Sequence, residues 1–421
     1  MSSFTFSHDE ALSLDEADPL SSLRDEFVIP VGPDGVEQAY FAGNSLGLML
    51  KSTPSALENA LSDWGSKGVR GHFEGPESWY QYDEVVSALQ AELVGAAEQE
   101  VGIMGSLTIN LHLLMASFFK PLNERKKILI EPHAFPSDRY AAAAQVAWHG
   151  GNPETDVIEI KATNPDQVTL TDLSSTLDDH GETINLALIG GLNYYTGQYH
   201  DIAGWMQELK KYGITVGLDL AHAVGNVPLE LHDLDIDFAA WCTYKYLNGG
   251  PGSISGYFVH EKHHRDHDLV RLSGWWGNDP ETRFDMHGQE RFVPRQSADG
   301  WKVSNPSLFS MVPLKASLEI FQQVGLEALR ERSIRQTAYL EAGIRSIDGI
   351  ESITPIDPNQ RGCQLSVRVK NDASAMEQKL ISAGVVPDAR DPDVLRFAPT
   401  PMYTSFQDIS RALHELAKLI Q

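Results

Sequence analysis

Cys242 and Cys363 are the only two cysteines in 421 residues. Two thiols cannot build a disulfide framework or a four-cysteine zinc site, and so low a count suits a reducing compartment. Long apolar runs are also missing. The longest, Leu111 to Phe119, is nine residues and contains His112, where a membrane span needs roughly twenty; it reads as a buried helix. Positive charge is scarce as well, with 33 Lys plus Arg against 58 Asp plus Glu and a formal net charge of −25. A surface that negative repels phosphate backbones and anionic lipid, so neither nucleic acid nor a membrane surface is an expected partner. Residues 1–37 hold nine acids and a single base, Arg24, with no apolar segment; no signal peptide is expected there. No repeat period is visible, which excludes solenoids and propellers. The expectation is a cytoplasmic globular protein with no metal centre.

What is present is ordinary: 42% hydrophobic and 22% charged residues, the composition of a chain that folds. Its length is about three times the commonest domain size, so two or three cores are expected. The acidic start reads as a surface arm. Gly43 and Gly47 within Tyr40-Phe41-Ala42-Gly43-Asn44-Ser45-Leu46-Gly47 suggest backbone approaching something closely. From about 85 to 260, short apolar strands alternate with helical stretches. Strands are expected at Ile128–Glu131, Asp156–Ile160, Asn185–Gly190, Thr215–Asp219, Phe238–Thr243 and Ser255–His260, with helices at Ser137–Trp148 and Ile202–Tyr212. That alternation implies βαβ units around a mainly parallel sheet, an α/β fold whose ligands bind beyond the carboxyl ends of the strands. The Trp/Gly/Pro-rich stretch Ser273–Pro306 is too long for a plain connector and reads as functional. After it a helical stripe carries Leu314, Leu318, Phe321 and Leu329. Strands Gln364–Val369 and Val394–Phe397 and a helix Phe406–Leu419 complete a smaller α+β part. The histidines from His260 to His267 read as a solvated surface run.

Chemistry concentrates at strand ends. In Gly217-Leu218-Asp219-Leu220-Ala221-His222 an apolar strand delivers Asp219, and His222 follows three residues on. In Trp241-Cys242-Thr243-Tyr244-Lys245-Tyr246-Leu247 the next strand ends in a tyrosine and a lysine, followed by the loop Asn248-Gly249-Gly250-Pro251-Gly252, which lets backbone pass close to a ligand. A strand-end lysine beside a strand-end aspartate is what pyridoxal phosphate (PLP) chemistry needs: an amine to condense with the aldehyde and a carboxylate to keep the pyridine nitrogen protonated. A structural ion pair is the competing reading for an isolated Asp and Lys, and the hydrophobic strands before both weigh against it. Upstream, Gly105-Ser106-Leu107-Thr108-Ile109-Asn110 opens a helix with free N–H groups suited to a phosphate, although a plain N-cap gives the same pattern. After strand Ile128–Glu131, Phe135 offers a ring that could stack on a flat cofactor or pack in the core, and Ser137 or Asp138 caps the next helix.

The ordered set Phe41-Ala42-Gly43-Asn44-Ser45-Leu46-Gly47, Leu107-Thr108-Ile109-Asn110-Leu111-His112, Phe135-Pro136-Ser137-Asp138, Asp219-Leu220-Ala221-His222-Ala223-Val224-Gly225-Asn226 and Tyr244-Lys245-Tyr246-Leu247-Asn248 resembles kynureninase. The likeness runs from about Tyr40 to Tyr403, through Arg361-Gly362-Cys363-Gln364-Leu365 and Arg396-Phe397-Ala398-Pro399. It implies PLP-dependent transferase fold type I, with an N-terminal arm and small-domain segment (1–75), a large PLP-binding domain (76–310) and a C-terminal small domain (311–421). It implies Lys245 as the Schiff-base lysine, Asp219 as the pyridinium partner and His222 beside it. Leu107, Thr108, Phe135, Pro136, Ser137, Asp138 and Tyr244 complete the implied cofactor contacts, with Tyr244 or Lys245 giving acid–base help at the carbonyl. Trp275 and Asn305 are implied to reach the cofactor or substrate of a neighbouring subunit, hence a homodimer with sites at its interface. Arg396 would grip the substrate carboxylate and His72 would lie near the aryl end. His72 and Asn305 resemble the eukaryotic-type members, which implies a preference for 3-hydroxykynurenine. Where the family often has a hydroxyl residue, this chain has Gly190 followed by Gly191.

The implied reaction is hydrolysis of L-kynurenine or 3-hydroxy-L-kynurenine to anthranilate or 3-hydroxyanthranilate plus L-alanine. Two sibling readings, a cysteine desulfurase or an aminotransferase, compete with it. A non-catalytic PLP-fold binding protein is a third, and it has no need for Lys245, Asp219 and Arg396 together.

Overall fold

The structure, a computed structural model, describes residues 6–370 and 372–420; the first five residues of the acidic arm lie outside the described residues. Along the chain run β1 (Ala39–Tyr40), β2 (Val101–Met104), β3 (Lys127–Ile130), β4 (Val157–Glu159), β5 (Ile184–Gly190), β6 (Thr215–Asp219), β7 (Phe238–Trp241), β8 (Ser255–Val259), β9 (Ile350–Ser352), β10 (Leu365–Val369), β11 (Val385–Val386), β12 (Asp388–Arg390) and β13 (Val394–Phe397). Seven of these form one sheet in the order β2-β8-β7-β6-β5-β3-β4. Its strands are parallel except β8, which pairs antiparallel with both β2 and β7.

Both faces of this sheet are covered, which is why its strands read as near-continuous apolar runs. Alternate side chains go to opposite layers. On β5, Leu186 and Leu188 pack with helices Leu107–Phe118 and Pro136–Trp148 through Leu111, Ala142 and Val146. Ala187 and Ile189 face the other way, towards Leu173, Trp205 and Leu209 of helices Leu170–His180 and Ile202–Lys211. The expected strands and helices between 128 and 260 match these elements to within one or two residues. β2 was not anticipated, because four residues between a 3-10 turn and a helix carry too little pattern to read.

A second core gathers Phe41, Tyr339, Leu365, Val367, Phe397, Ile409 and Leu413 on one side of the antiparallel sheet β12-β13-β10-β9. The helical stripe after Pro306 is two helices, Leu308–Val324 and Leu326–Ile344, broken at Gly325 with φ +82°. Met311, Leu314, Leu318 and Phe321 of the first join the larger core, while Tyr339 and Leu340 of the second join the smaller one.

Two expectations are corrected. The acidic start is packed rather than a surface arm. Asp15 accepts the Phe406 and Gln407 N–H groups at 2.7 and 3.0 Å, capping the last helix, an interaction worth about 1 kcal/mol. Asp18 holds Arg332 and Arg335 at 2.6 and 2.8 Å. Two of the acids that read as solvated are therefore structural, Asp15 as a helix cap and Asp18 as the counter-charge of the buried Arg332. The histidine run is not uniformly solvated either: His260 and His264 are buried, His264 bonded to the Val259 carbonyl at 2.9 Å. The stretch Ser273–Pro306 is folded by buried charge, with Lys302 between Asp83 (2.5 Å) and Asp299 (2.6 Å) and Arg283 bonded to the Trp276 carbonyl.

Candidate active site

The carboxyl ends of β3, β5, β6 and β7 open into a cavity of about 350 Å³. It is lined by Leu107, Thr108, Phe135, Ser137, Asp138, Asp219, His222, Tyr244 and Lys245, all singled out from sequence. Asp219 ends β6 and lies opposite Ala240 of β7, the strand that delivers Tyr244 and Lys245. Lys245 Nζ is 2.9 Å from His222 Nε2 and 6.0 Å from the ring centres of Phe135 and Tyr244. Burial, with the Lys245, Arg396 and Arg390 charges, holds His222 well below the usual imidazole range. Its neutral ring thus accepts from the lysine amine, while its buried Nδ1 has no partner among the described residues.

Three carboxyl groups crowd the floor. Burial first, then the Asp219 and Glu131 carboxylates, push Asp138 well above the usual carboxyl range, favouring a neutral group that hydrogen-bonds Asp219. Asp219 in turn accepts the Ala221 N–H at 2.8 Å. Glu131 lies at the end of β3, bonded to Asn193 Nδ2 at 3.2 Å and paired with His200, which stacks on Trp205. A Cβ on Gly190 would stand 2.5 Å from Glu131 Oε1. The glycine is explained: Glu131 occupies the space a side chain there would take.

At the start of helix Leu107–Phe118, Ser106 is extended and its side chain caps nothing, so the first-turn N–H groups face the cavity without a protein acceptor. Phe135 is 42% exposed and meets Tyr194 edge-on at 5.0 Å. Gly47 packs against the Lys245 carbonyl, where a Cβ has no room, and its N–H donates to the Tyr244 carbonyl at 2.8 Å. The close approach read from the glycines is therefore to the lysine's own backbone at Gly47 and to the Tyr403 and Thr400 side chains at Gly43.

Other expected residues lie elsewhere. Pro136 opens helix Pro136–Trp148 without lining the cavity. Arg396 is fully buried behind the wall, bonded to Asp388, the Tyr194 carbonyl and Ser45. His72 is bonded to the Val69 carbonyl at 3.0 Å and packs edge-on to Trp79. Trp275 is half-buried against Trp276. Asn305 borders a separate crevice with Gly105, Ile109 and Gly252, and the loop 248–252 reaches that crevice rather than the cavity. Sequence reasoning missed Glu131, Tyr194 and Arg390 as cavity walls. Glu131 had a signal, its place at a strand end; Arg390 had none.

Elsewhere, Glu100, His232 and His260 gather three metal-capable groups. Each is engaged: Glu100 accepts the Ala97 and Glu261 N–H groups, and His260 Nδ1 accepts the Lys262 N–H at 3.2 Å. The cluster ties β8 to the start of β2. Among the described residues no helix is long and apolar enough to cross a membrane.

A family profile described as the kynureninase C-terminal domain matches residues 329–416. The chain is 44% identical to the kynureninase of Stenotrophomonas maltophilia over 97% of both chains. It is 46% identical to those of Xanthomonas axonopodis pv. citri and Koribacter versatilis, over 95% of both chains in each case. Among solved structures, a cysteine desulfurase from Thermococcus onnurineus has a TM-score of 0.79 at 14% identity, covering 95% of this chain and 97% of that one. A C-DES variant with glycine covalently linked to its PLP cofactor has a TM-score of 0.78 at 17% identity, covering 94% and 98%. At such identities the likeness is one of fold, PLP-dependent transferase fold type I.

Proposed function

The chain belongs to the kynureninase family, and from that premise we propose that its cavity hydrolyses the Cβ–Cγ bond of L-kynurenine or 3-hydroxy-L-kynurenine. Water is consumed, and anthranilate or 3-hydroxyanthranilate and L-alanine are released. The observation that carries this reading is Lys245 and Asp219 on neighbouring strand ends of one cavity, in a chain 44–46% identical to kynureninases over nearly its whole length.

The residues present fit pyridoxal 5'-phosphate. Lys245 supplies the amine, Asp219 the carboxylate for a pyridine nitrogen, and Phe135 an open aromatic face. The free N–H groups and Thr108 hydroxyl at the helix start suit a phosphate, and the orphaned His222 Nδ1 is a polar atom still wanting a partner. Leu107, Pro136, Ser137, Asp138 and Tyr244 belong to the same proposed set. When bound, the cofactor supplies an electron sink for charge developing on the amino acid's carbons. The chain's own residues do the rest. Lys245 Nζ takes and returns protons at the substrate α-carbon, with neutral His222 beside it accepting an N–H and keeping the amine aimed into the cavity. Asp138, held neutral, leaves Asp219 as the floor's negative charge towards the ring. Burial raises Tyr244 above the ordinary phenol range, so its hydroxyl stays protonated and can donate to the substrate carbonyl. Arg396 serves the α-carboxylate.

A homodimer is part of the same proposal. Asn305 and Ile109 are exposed around the second crevice, next to Leu107, which supports Trp275 and Asn305 acting on a partner's site. His72 and Asn305 then set the preference for 3-hydroxykynurenine. The units 1–75, 76–310 and 311–421 stay as the proposed domains, with helix Leu308–Val324 packed on the larger core. The desulfurase reading is disfavoured because both cysteines are buried, and burial pushes the Cys363 thiol up to about 12.

The test is direct. Protein loaded with pyridoxal phosphate and given L-kynurenine should release fluorescent anthranilate and an equal amount of alanine. Transfer of the amino group to a keto acid, without anthranilate, would overturn the reading.

A further inference from the structure

The end of the cavity remote from the helix start is built by two arginines and one aspartate. Asp388 and Arg396 face each other across the antiparallel pair β12–β13, and Arg390 lies two residues along β12 from Asp388, on the same face. Arg396 is nearly saturated. Its Nε and Nη2 donate to Asp388 Oδ1 at 3.0 and 2.7 Å, Nη2 also to Ser45 Oγ at 3.1 Å, and Nη1 to the Tyr194 carbonyl at 2.8 Å. Of its five N–H groups one is left, so it cannot offer a ligand a two-pronged grip without releasing Asp388. Arg390 differs. It lines the cavity, its side chain is 34% exposed, and its Nη1 lies 2.9 Å from both Asp388 Oδ1 and the Ala389 carbonyl, while Nη2 reaches Asp388 Oδ2 only at 3.4 Å. Two guanidinium charges against one carboxylate leave this end with an unbalanced positive charge. Its field reaches the cavity: the Arg390 and Arg396 charges add to burial in depressing His222, and both oppose the rise that burial imposes on Tyr194.

We propose that Arg390 is a second carboxylate-binding residue of this site, facing the amino-acid substrate from the cavity wall and sharing its α-carboxylate with Arg396. The inference rests on the kynureninase reading and adds to it a contact for the substrate's α-carboxylate. A bound carboxylate would neutralise the excess charge and take the Arg390 N–H groups that Asp388 leaves open.

The experiment compares holoenzyme and its Arg390→Gln and Arg390→Lys variants, measuring kcat and KM for L-kynurenine. It also measures calorimetric binding of L-alanine against ethylamine, which lacks the carboxylate. Arg390→Gln should raise KM about 10- to 100-fold, with kcat within a few-fold and a matching loss of preference for L-alanine over ethylamine. Arg390→Lys should recover part of both, since it restores charge without the fork. An unchanged KM, or equal weakening of both amines, would overturn the proposal while wild-type cleavage left the family reading standing. So would a fall in pyridoxal phosphate affinity with amino-acid preference intact, which would place Arg390 on the phosphate. Absence of kynurenine cleavage by the wild type would instead sink the family reading, and retained L-alanine preference would still report on Arg390.

Discussion

The two ends of the cavity are built by different physics. The floor hangs from the ends of parallel strands in the larger sheet, with Asp219 and His222 at and after β6, Lys245 after β7 and Asp138 in the first turn of the helix that follows β3. The far end, with Asp388, Arg390 and Arg396, depends on cross-strand register in the small antiparallel sheet and on Ser45 and Tyr194 from distant segments. On the proposed function, the floor holds the groups near the reacting centre and the far end the charges that select the ligand. Damage to the first should therefore appear in kcat and damage to the second in KM.

The largest effect is expected at the floor. Asp219→Asn keeps the shape and removes the charge, and should lower kcat on the order of 10²-fold or more with KM little changed; the check is steady-state kinetics on cofactor-loaded protein. A purely KM effect would erase the contrast. At the far end, Arg396→Ala leaves the partly buried Asp388 beside one arginine instead of two. It should raise KM about 10²-fold or more while kcat stays within a few-fold, measured in the same assay.

How far sequence reading reached follows the same divide. Asp219 and Lys245 were legible because an apolar run ending in a charged residue is a local pattern, and the larger sheet is a succession of such patterns. Arg396 was legible only through resemblance. Arg390 was invisible, since nothing in Asp388-Ala389-Arg390 reports that β12 would lie against β13 with Asp388 opposite Arg396. The acidic start misled for a related reason. Asp15 and Asp18 look solvated until the last helix and Arg332 are brought to them from more than 300 residues away. Gly190 stands where the family often has a hydroxyl residue, and only the packing of Glu131 explains it.

That packing gives a smaller prediction. Gly190→Ala sets a methyl against Glu131, which Asn193 and His200 hold in place, and should cost about 1–3 kcal/mol of stability. The check is denaturant unfolding of the cofactor-free protein, where an unchanged midpoint would show that Glu131 moves freely. The smallest effect concerns pH. His222 is held below its ordinary value, so the folded state favours the neutral ring. The stability tied to that preference is complete above the unfolded value near 6.5 and is lost as pH falls below it towards the folded value. Between pH 8 and 5 the Tm of cofactor-free wild type should fall more steeply than that of His222→Gln. Parallel curves would mean that His222 is not held neutral.

The most direct test asks which atom carries the cofactor. Protein loaded with pyridoxal phosphate is reduced with borohydride, digested and searched by mass spectrometry for a pyridoxyl group. The expected result is a single modified peptide with the added mass on Lys245, absent from Lys245→Ala together with the visible absorbance. A pyridoxyl group on another lysine, or full absorbance in Lys245→Ala, would contradict the assignment of this cavity.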